Sequence, residues 1–122
     1  MENQIYTEKD WKLFRRKIGE WQEAYIARLN LEYIELLSRE GSAADNFWEL
    51  EKRIREDKKH PGVIVDMRRS TFVYHLIDLL ADDVITYDDL DGFNDNLKDT
   101  VCQLAKRQNE IYSGDDETES TR

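Results

Sequence analysis

The sequence has very little of several residue types on which catalytic and structural sites depend. Its 122 residues include one Cys and one Pro, and its five Gly are scattered singly along the chain. A single Cys excludes an intrachain disulfide framework and a zinc site built from several Cys. Scattered glycines leave no glycine-rich loop to cradle phosphates, so nucleotide binding by a P-loop or a Rossmann turn is excluded.

Long apolar runs are also missing. No stretch approaches the ~20 apolar residues that a membrane-spanning helix needs. Residues 1–10 lack the basic and apolar regions of a signal peptide. We therefore predict no membrane partner and a cytoplasmic location.

Negative charge is plentiful and concentrated in one segment. The chain has 27 acidic and 18 basic side chains, a formal net charge of -9. Residues 82–99 hold seven Asp against one Lys, a local net charge of -6. Because such a segment repels phosphate, we predict no direct contact with nucleic acid. Its sign favours a basic protein partner or a cation.

Apolar residues recur at helical spacing through most of the chain, and little of it has the alternation of a strand. Capping residues and breakers divide the pattern into four helices and one short turn: residues 8–40 after Thr7, 43–60 after Ser42, 66–81, the turn 87–91 after Thr86, and a last helix after Asn94. The pattern predicts an all-α fold, a small antiparallel helical bundle built on a long N-terminal helix. We expect residues 1–112 to form a single helical domain. Residues 113–122 contain no apolar residue, so we predict a disordered acidic tail there.

The acidic segment does not match a known metal-binding loop. Placing Asp89 at the last position of an EF-hand loop puts Leu80 third and Asp83 sixth, where the loop needs an oxygen ligand and a Gly. Asp at the start of a helix is instead typical of capping and of favourable interaction with the helix dipole. We therefore predict no metal site and no cofactor.

Two His and one Cys are the remaining candidates for catalysis. His75 lies three residues before Asp78, within side-chain reach on a helix, and we expect it to bond to that carboxylate at the edge of an apolar face. Cys102 lacks the sequence features of an activated thiolate. We predict no enzymatic activity.

Aromatic residues crowd the start of the first helix. Trp11, Phe14 and Trp21 share one side of a helix that would be ~50 Å long, whereas a globule of this size is ~35 Å across. Either the other helices cover this side or a second chain does. Leu31 and Ile34 project away from that side, so residues 24–37 are expected to be the centre of the core. Trp48 lies off the apolar stripe of its own helix.

Part of the sequence resembles a known group of proteins. Residues 6–15, 21–25 and 32–37, and further on Ile85, Asp89, Leu90, Phe93 and Leu97, are similar to a family of small uncharacterised acidic helical proteins of anaerobic Gram-positive bacteria. The resemblance implies a bacterial cytoplasmic setting and no particular activity, substrate or cofactor.

We predict that the chain is a non-enzymatic protein-protein interaction or adaptor protein that binds a protein partner or itself as a homodimer. The predicted partner-binding residues are Trp11, Phe14, Trp21, Trp48, Asp88, Asp89, Asp91 and Asp95. The alternative is an acidic inhibitor, anti-CRISPR-like or from another mobile element, that blocks a basic nucleic-acid-binding groove of a partner protein.

Overall fold

The computed structural model describes the backbone of residues 5–120 and the side chains of residues 5–110. The elements in chain order are α1 (Glu8–Ser38), α2 (Ala43–Asp57), α3 (Arg69–Ala81), a 3₁₀ turn (Tyr87–Leu90) and α4 (Asp95–Ser120). No strand occurs between residues 5 and 120. The predicted all-α class is confirmed: the chain is a small helical bundle built on a long N-terminal helix.

The chain forms two compact units. The terminal unit takes the chain up to Lys17 and from Met67 onward, and the hairpin unit spans Ile18–Asp66. Helix α1 contributes its first turns to the terminal unit and the rest to the hairpin unit. The single domain predicted over residues 1–112 stays a prediction. None of the helices of residues 5–120 has a stretch long and apolar enough to cross a membrane.

One buried carboxylate joins two helix starts in the terminal unit. Asp10 is 2% exposed, and its Oδ2 accepts hydrogen bonds from the backbone N of Thr7 at 2.8 Å and from the hydroxyl of Thr7 at 3.0 Å. Its Oδ1 accepts from the backbone N of Asn94 at 3.0 Å. The Asn94 side chain in turn caps α4, since its Oδ1 accepts from the backbone N of Leu97 at 2.9 Å. The caps predicted at Thr7 and Asn94 are confirmed.

The core of the terminal unit is organised around Phe72 of α3, which is fully buried. Four aromatic rings surround it, with centroid distances of 5.0 Å to Tyr6, 5.6 Å to Trp11, 4.8 Å to Phe14 and 6.5 Å to Phe93. These edge-on and tilted contacts are the arrangements that aromatic pairs prefer. The prediction of Trp11 and Phe14 as a partner surface is corrected by this packing, because α3 supplies the ring that covers them.

The hairpin unit is made of two antiparallel helices. The second part of α1 turns at Gly41, which has φ of 125°, into α2, whose predicted N-cap Ser42 accepts from the backbone N of Asp45 at 3.2 Å. Side-chain hydrogen bonds across the hairpin connect residues in reverse order along the two arms: Arg39 to Glu49, Glu32 to Arg53, Tyr33 to Asp57 and Gln22 to Pro61. An αα-hairpin joined by a short loop is therefore the second building block of the chain.

Helix ends differ from the predicted ones where local signals are weak. Helix α3 begins at Arg69 instead of residue 66, because the preceding Arg68 is extended. Helix α4 continues to Ser120, into the predicted disordered tail, of which residues 121–122 lie outside the described residues. Once a helix is nucleated, each further residue adds one backbone hydrogen bond, so α4 continues past its last apolar position.

Candidate protein-binding surface

Helix α2 contributes no buried residue to the structure. It is nevertheless amphipathic, with Phe47, Leu50 and Ile54 at helical spacing along one stripe. Leu50 is half-buried, whereas Phe47 is 57% exposed and Ile54 37% exposed. The apolar stripe of α2 is thus only partly covered by α1.

One side of the hairpin is polar. It is lined by Glu32, Glu35 and Arg39 of α1 and its end, and by Glu49 and Arg53 of α2. Arg39 and Glu49 approach to 2.8 Å, Arg53 pairs with Glu32, and Arg53 Nε lies 3.3 Å from the carboxylate of Asp57. Exposed ion pairs of this kind contribute little stability and keep the surface hydrated. We call this the polar side of the hairpin.

The other side of the hairpin holds an open groove of about 270 Å³. Its apolar lining comes from Ile26, Leu29 and Tyr33 of α1, Ile54 of α2 and Val63 after it. We call this the apolar side. An apolar groove between two helices is a common binding site for an amphipathic partner helix or a protruding side chain.

A hydrogen bond between the two helices holds the groove in shape. The Tyr33 hydroxyl donates to Asp57 Oδ2 at 2.5 Å. Burial, followed by the hydrogen bond and the negative charge of Asp57, raises the pKa of Tyr33 to about 12. The phenol therefore stays protonated and the bond stays intact throughout the physiological pH range.

Two large rings protrude from α2 near the turn. The Phe47 and Trp48 rings contact each other edge to face with centroids 4.9 Å apart, and Trp48 is 62% exposed. Phe47 belongs to the apolar side, whereas Trp48 lies toward the back of the helix, where Lys52 and Glu56 are its neighbours. Trp48 is the one predicted aromatic binding residue that lies on the surface. Trp21, like Trp11 and Phe14, is buried, at 8% exposure.

The back of α1 in the hairpin unit is also apolar and exposed. Leu31 and Ile34 are 67% and 59% exposed, and Leu37 is 50% exposed. The direction predicted for Leu31 and Ile34 is confirmed, but residues 24–37 are not the centre of the core. Only Leu29 and Leu36 of that stretch are buried.

The predicted acidic residues divide into one with a structural role and three exposed ones. Asp89 forms a capping box with Thr86, whose backbone N donates to Asp89 Oδ2 at 2.8 Å. Asp88, Asp91 and Asp95 are exposed, and Asp95 approaches Lys98 to 3.8 Å. Within the described part of the chain, no three His, Cys, Asp or Glu side chains are grouped to hold a metal ion.

The two His side chains lie in different surroundings, and those of His75 differ from the predicted ones. Both ring nitrogens of His75 are buried with no hydrogen-bond partner, so the predicted bond to Asp78 is wrong. Asp78 Oδ1 instead accepts from Gln108 Nε2 of α4, at 3.4 Å. His60 Nδ1 accepts from the backbone N of Gly62 at 2.9 Å, and its ring stacks on Tyr25.

The groove and the partial exposure of Phe47 and Ile54 were not predicted from the sequence. The stripe that contains them is visible in the sequence, but its spacing is the same whether the stripe faces a core or solvent. The α2 stripe faces solvent in part because the hairpin unit contains no third helix to cover it. Only the fold shows that this third helix is absent.

No protein-family model, no curated protein and no solved structure matches the chain. The resemblance to small acidic proteins of anaerobic Gram-positive bacteria therefore stays a prediction.

Proposed function

We propose that the chain is a non-enzymatic protein-interaction module that works as a homodimer and docks through the apolar side of its hairpin. The observation that carries the proposal is that α2 is amphipathic and yet has no buried residue. A helix of this kind gains most of its stability from packing its apolar stripe against another element. In the hairpin unit, α1 covers that stripe only in part.

Energetics support a docking role for the exposed ring of Phe47. Burying a Phe side chain that was fully exposed is worth roughly 1.5–3 kcal/mol. Phe47 retains more than half of its accessible surface, so about half of that free energy remains to be gained on association. Aromatic side chains beside an apolar groove are also the residue types that dominate the affinity of protein interfaces.

The cellular setting that we propose is the cytoplasm of a bacterium, as the sequence resemblance implies. A non-enzymatic role is supported by the surroundings of the best catalytic candidate. The His75 nitrogens are enclosed, so they do not reach a substrate in solution. General acid or base catalysis requires such a nitrogen within hydrogen-bond distance of the reacting group.

Site-specific photo-crosslinking tests the proposal. A photoreactive phenylalanine analogue replaces Phe47, which lies on the apolar side, in one variant and Tyr74 in a control, since Tyr74 is 68% exposed in the terminal unit. We expect protein adducts from position 47, at the mass of two chains in the purified protein, and none from position 74. No adduct at position 47, or equal adducts at both positions, would contradict the proposal.

A second candidate is the acidic inhibitor that occupies a basic groove of another protein. The specific observation in its favour is the exposure of Asp88, Asp91 and Asp95. Replacing these three with Asn, while keeping the capping residue Asp89, should abolish binding to such a partner without unfolding the 3₁₀ turn. Binding that survives the triple replacement excludes the acidic segment as its cause.

A further inference from the structure

We infer that a second copy of the chain occupies the apolar side of the hairpin, with the two α2 helices antiparallel across a twofold axis near Ile54. This inference rests on the proposed function and specifies the orientation and register of the homodimer. It follows from the order of four exposed side chains on α2 and from the position of the groove.

The four side chains form one seam along α2 and its C-cap residue Lys58. Phe47, Glu51, Ile54 and Lys58 follow one another at spacings of four, three and four residues, which places them on the same side of a helix. All four are exposed. Ile54 and Lys58 also line the groove, so the seam runs along the apolar side.

This seam is complementary to itself when it is reversed. Two antiparallel copies that meet at Ile54 place Glu51 of one opposite Lys58 of the other, and the twofold axis repeats that pair. Glu51 also forms an ion pair with Arg55 of its own helix, so Lys58 of the second copy adds a second cation beside the same carboxylate. A parallel pairing in the same register would instead place Glu51 against Glu51 and Lys58 against Lys58. Charges at the edge of a helical interface select orientation in this way.

The twofold rotation brings the Phe47 ring of the second copy to the groove of the first. Phe47 lies seven residues, or about 10 Å, before Ile54 along the helix. The rotation therefore carries Phe47 of the second copy about as far beyond Ile54 of the first, toward the end of the groove lined by Ile26 and Val63. A groove of about 270 Å³ is large enough for a phenyl ring.

Each copy thus offers a protruding ring at one end of the seam and a groove at the other. Such an arrangement is what a twofold interface requires, because residue i meets residue j and residue j meets residue i. A different partner would have to supply both a ring and a matching groove at the same spacing. A second copy of the chain has both the ring and the groove, because its sequence and fold are the same.

Charge reversal at the seam tests the register by sedimentation equilibrium of the full chain. We expect the unaltered chain to dimerise, and Glu51→Lys and Lys58→Glu each to raise the dimer dissociation constant at least tenfold, because two like-charged contacts replace two attractive ones. The double variant Glu51→Lys with Lys58→Glu should restore dimerisation to within about threefold of the original. Restoration is the signature of antiparallel pairing, since a parallel pair would keep its like-charge contacts in the double variant.

Matched controls separate loss of docking from loss of folding. Lys52→Glu changes an exposed charge beside Trp48, off the seam, and should leave the dissociation constant unchanged. Phe47→Ala should weaken the dimer at least tenfold while the circular dichroism signal at 222 nm stays as in the unaltered chain.

Three results would overturn the inference. They are a purified chain that stays monomeric at several hundred micromolar, a dimer insensitive to both single charge reversals, and a double variant that fails to recover. A dimer that crosslinks from position 47 but is insensitive to both charge reversals would overturn the antiparallel register alone and leave the proposed function intact. A monomeric chain would overturn the homodimer as well as the register.

Discussion

Asp10 is the residue whose replacement should damage the terminal unit most. It is 2% exposed and lies at the start of α1. Its carboxylate accepts hydrogen bonds from the backbone N–H groups of Thr7 and Asn94, and from the side chains of both residues. Asp10→Ala removes every one of these acceptors. The N-cap side chains of α1 and α4 then lose the group that holds them together.

The size of the effect follows from the number of donors left without a partner. Leaving one buried donor unsatisfied costs about 1–3 kcal/mol, and a hydrogen bond to a charged group contributes about 1.5–3 kcal/mol. Two backbone N–H groups and two side chains are affected, and some of them regain water because Thr7 is exposed. We expect Asp10→Ala to lower the free energy of unfolding by about 3–5 kcal/mol, out of a typical total of about 5–15 kcal/mol.

Urea denaturation followed by tryptophan fluorescence measures this loss. Asp10→Asn keeps the shape and one acceptor oxygen, so it should cost about half as much as Asp10→Ala. Asp95→Ala is the matched control, because that Asp also lies in the first turn of a helix but its side chain is 96% exposed; it should cost less than about 0.5 kcal/mol. A loss below about 1 kcal/mol for Asp10→Ala would refute the view that this carboxylate holds the two helix starts together.

Three further stability predictions concern other sites. Gly62→Ala should lower the free energy of unfolding by about 1–3 kcal/mol, because a Cβ there would overlap the Tyr25 ring. Gly19→Ala should raise the free energy of unfolding by about 0.5–1 kcal/mol, because Gly19 lies in mid-helix with open space around it. Urea midpoints equal to that of the unaltered chain would contradict both predictions. His75→Phe should leave stability unchanged or raise it by about 1 kcal/mol, since two buried nitrogens without partners are removed, and a large loss of thermal stability would show that they have a role. The raised pKa of Tyr33, about 12, stabilises the folded chain below the unfolded pKa of about 10, and that contribution is lost as the pH rises from 10 through 12. The stability difference between the unaltered chain and Tyr33→Phe should therefore shrink over that range, and a constant difference in urea titrations would count against the Tyr33–Asp57 bond.

The candidate surface was only partly predictable from the sequence. Trp48 was predicted to bind a partner, and the structure places it on the surface. Trp11, Phe14 and Trp21 were also predicted to bind a partner, although cover by the other helices was left open, and the structure buries them. Whether an aromatic side chain is covered depends on which distant segment packs against it, as Phe72 packs against Trp11 and Phe14. No local pattern carries that information.

The amino-acid sequence by itself determined where α1, α2, the 3₁₀ turn and α4 begin, but not where α3 begins. The caps at Thr7, Ser42, Thr86 and Asn94 depend on hydrogen bonds between a side chain and a backbone N–H three residues away, so the necessary partners are written side by side in the chain. Tertiary structure decided which apolar stripes are covered, because burial depends on contacts between residues far apart in sequence. The same helical spacing accompanies the buried Leu29 and Leu36 and the exposed Leu31 and Ile34 of α1, and only the packing of the fold distinguishes them.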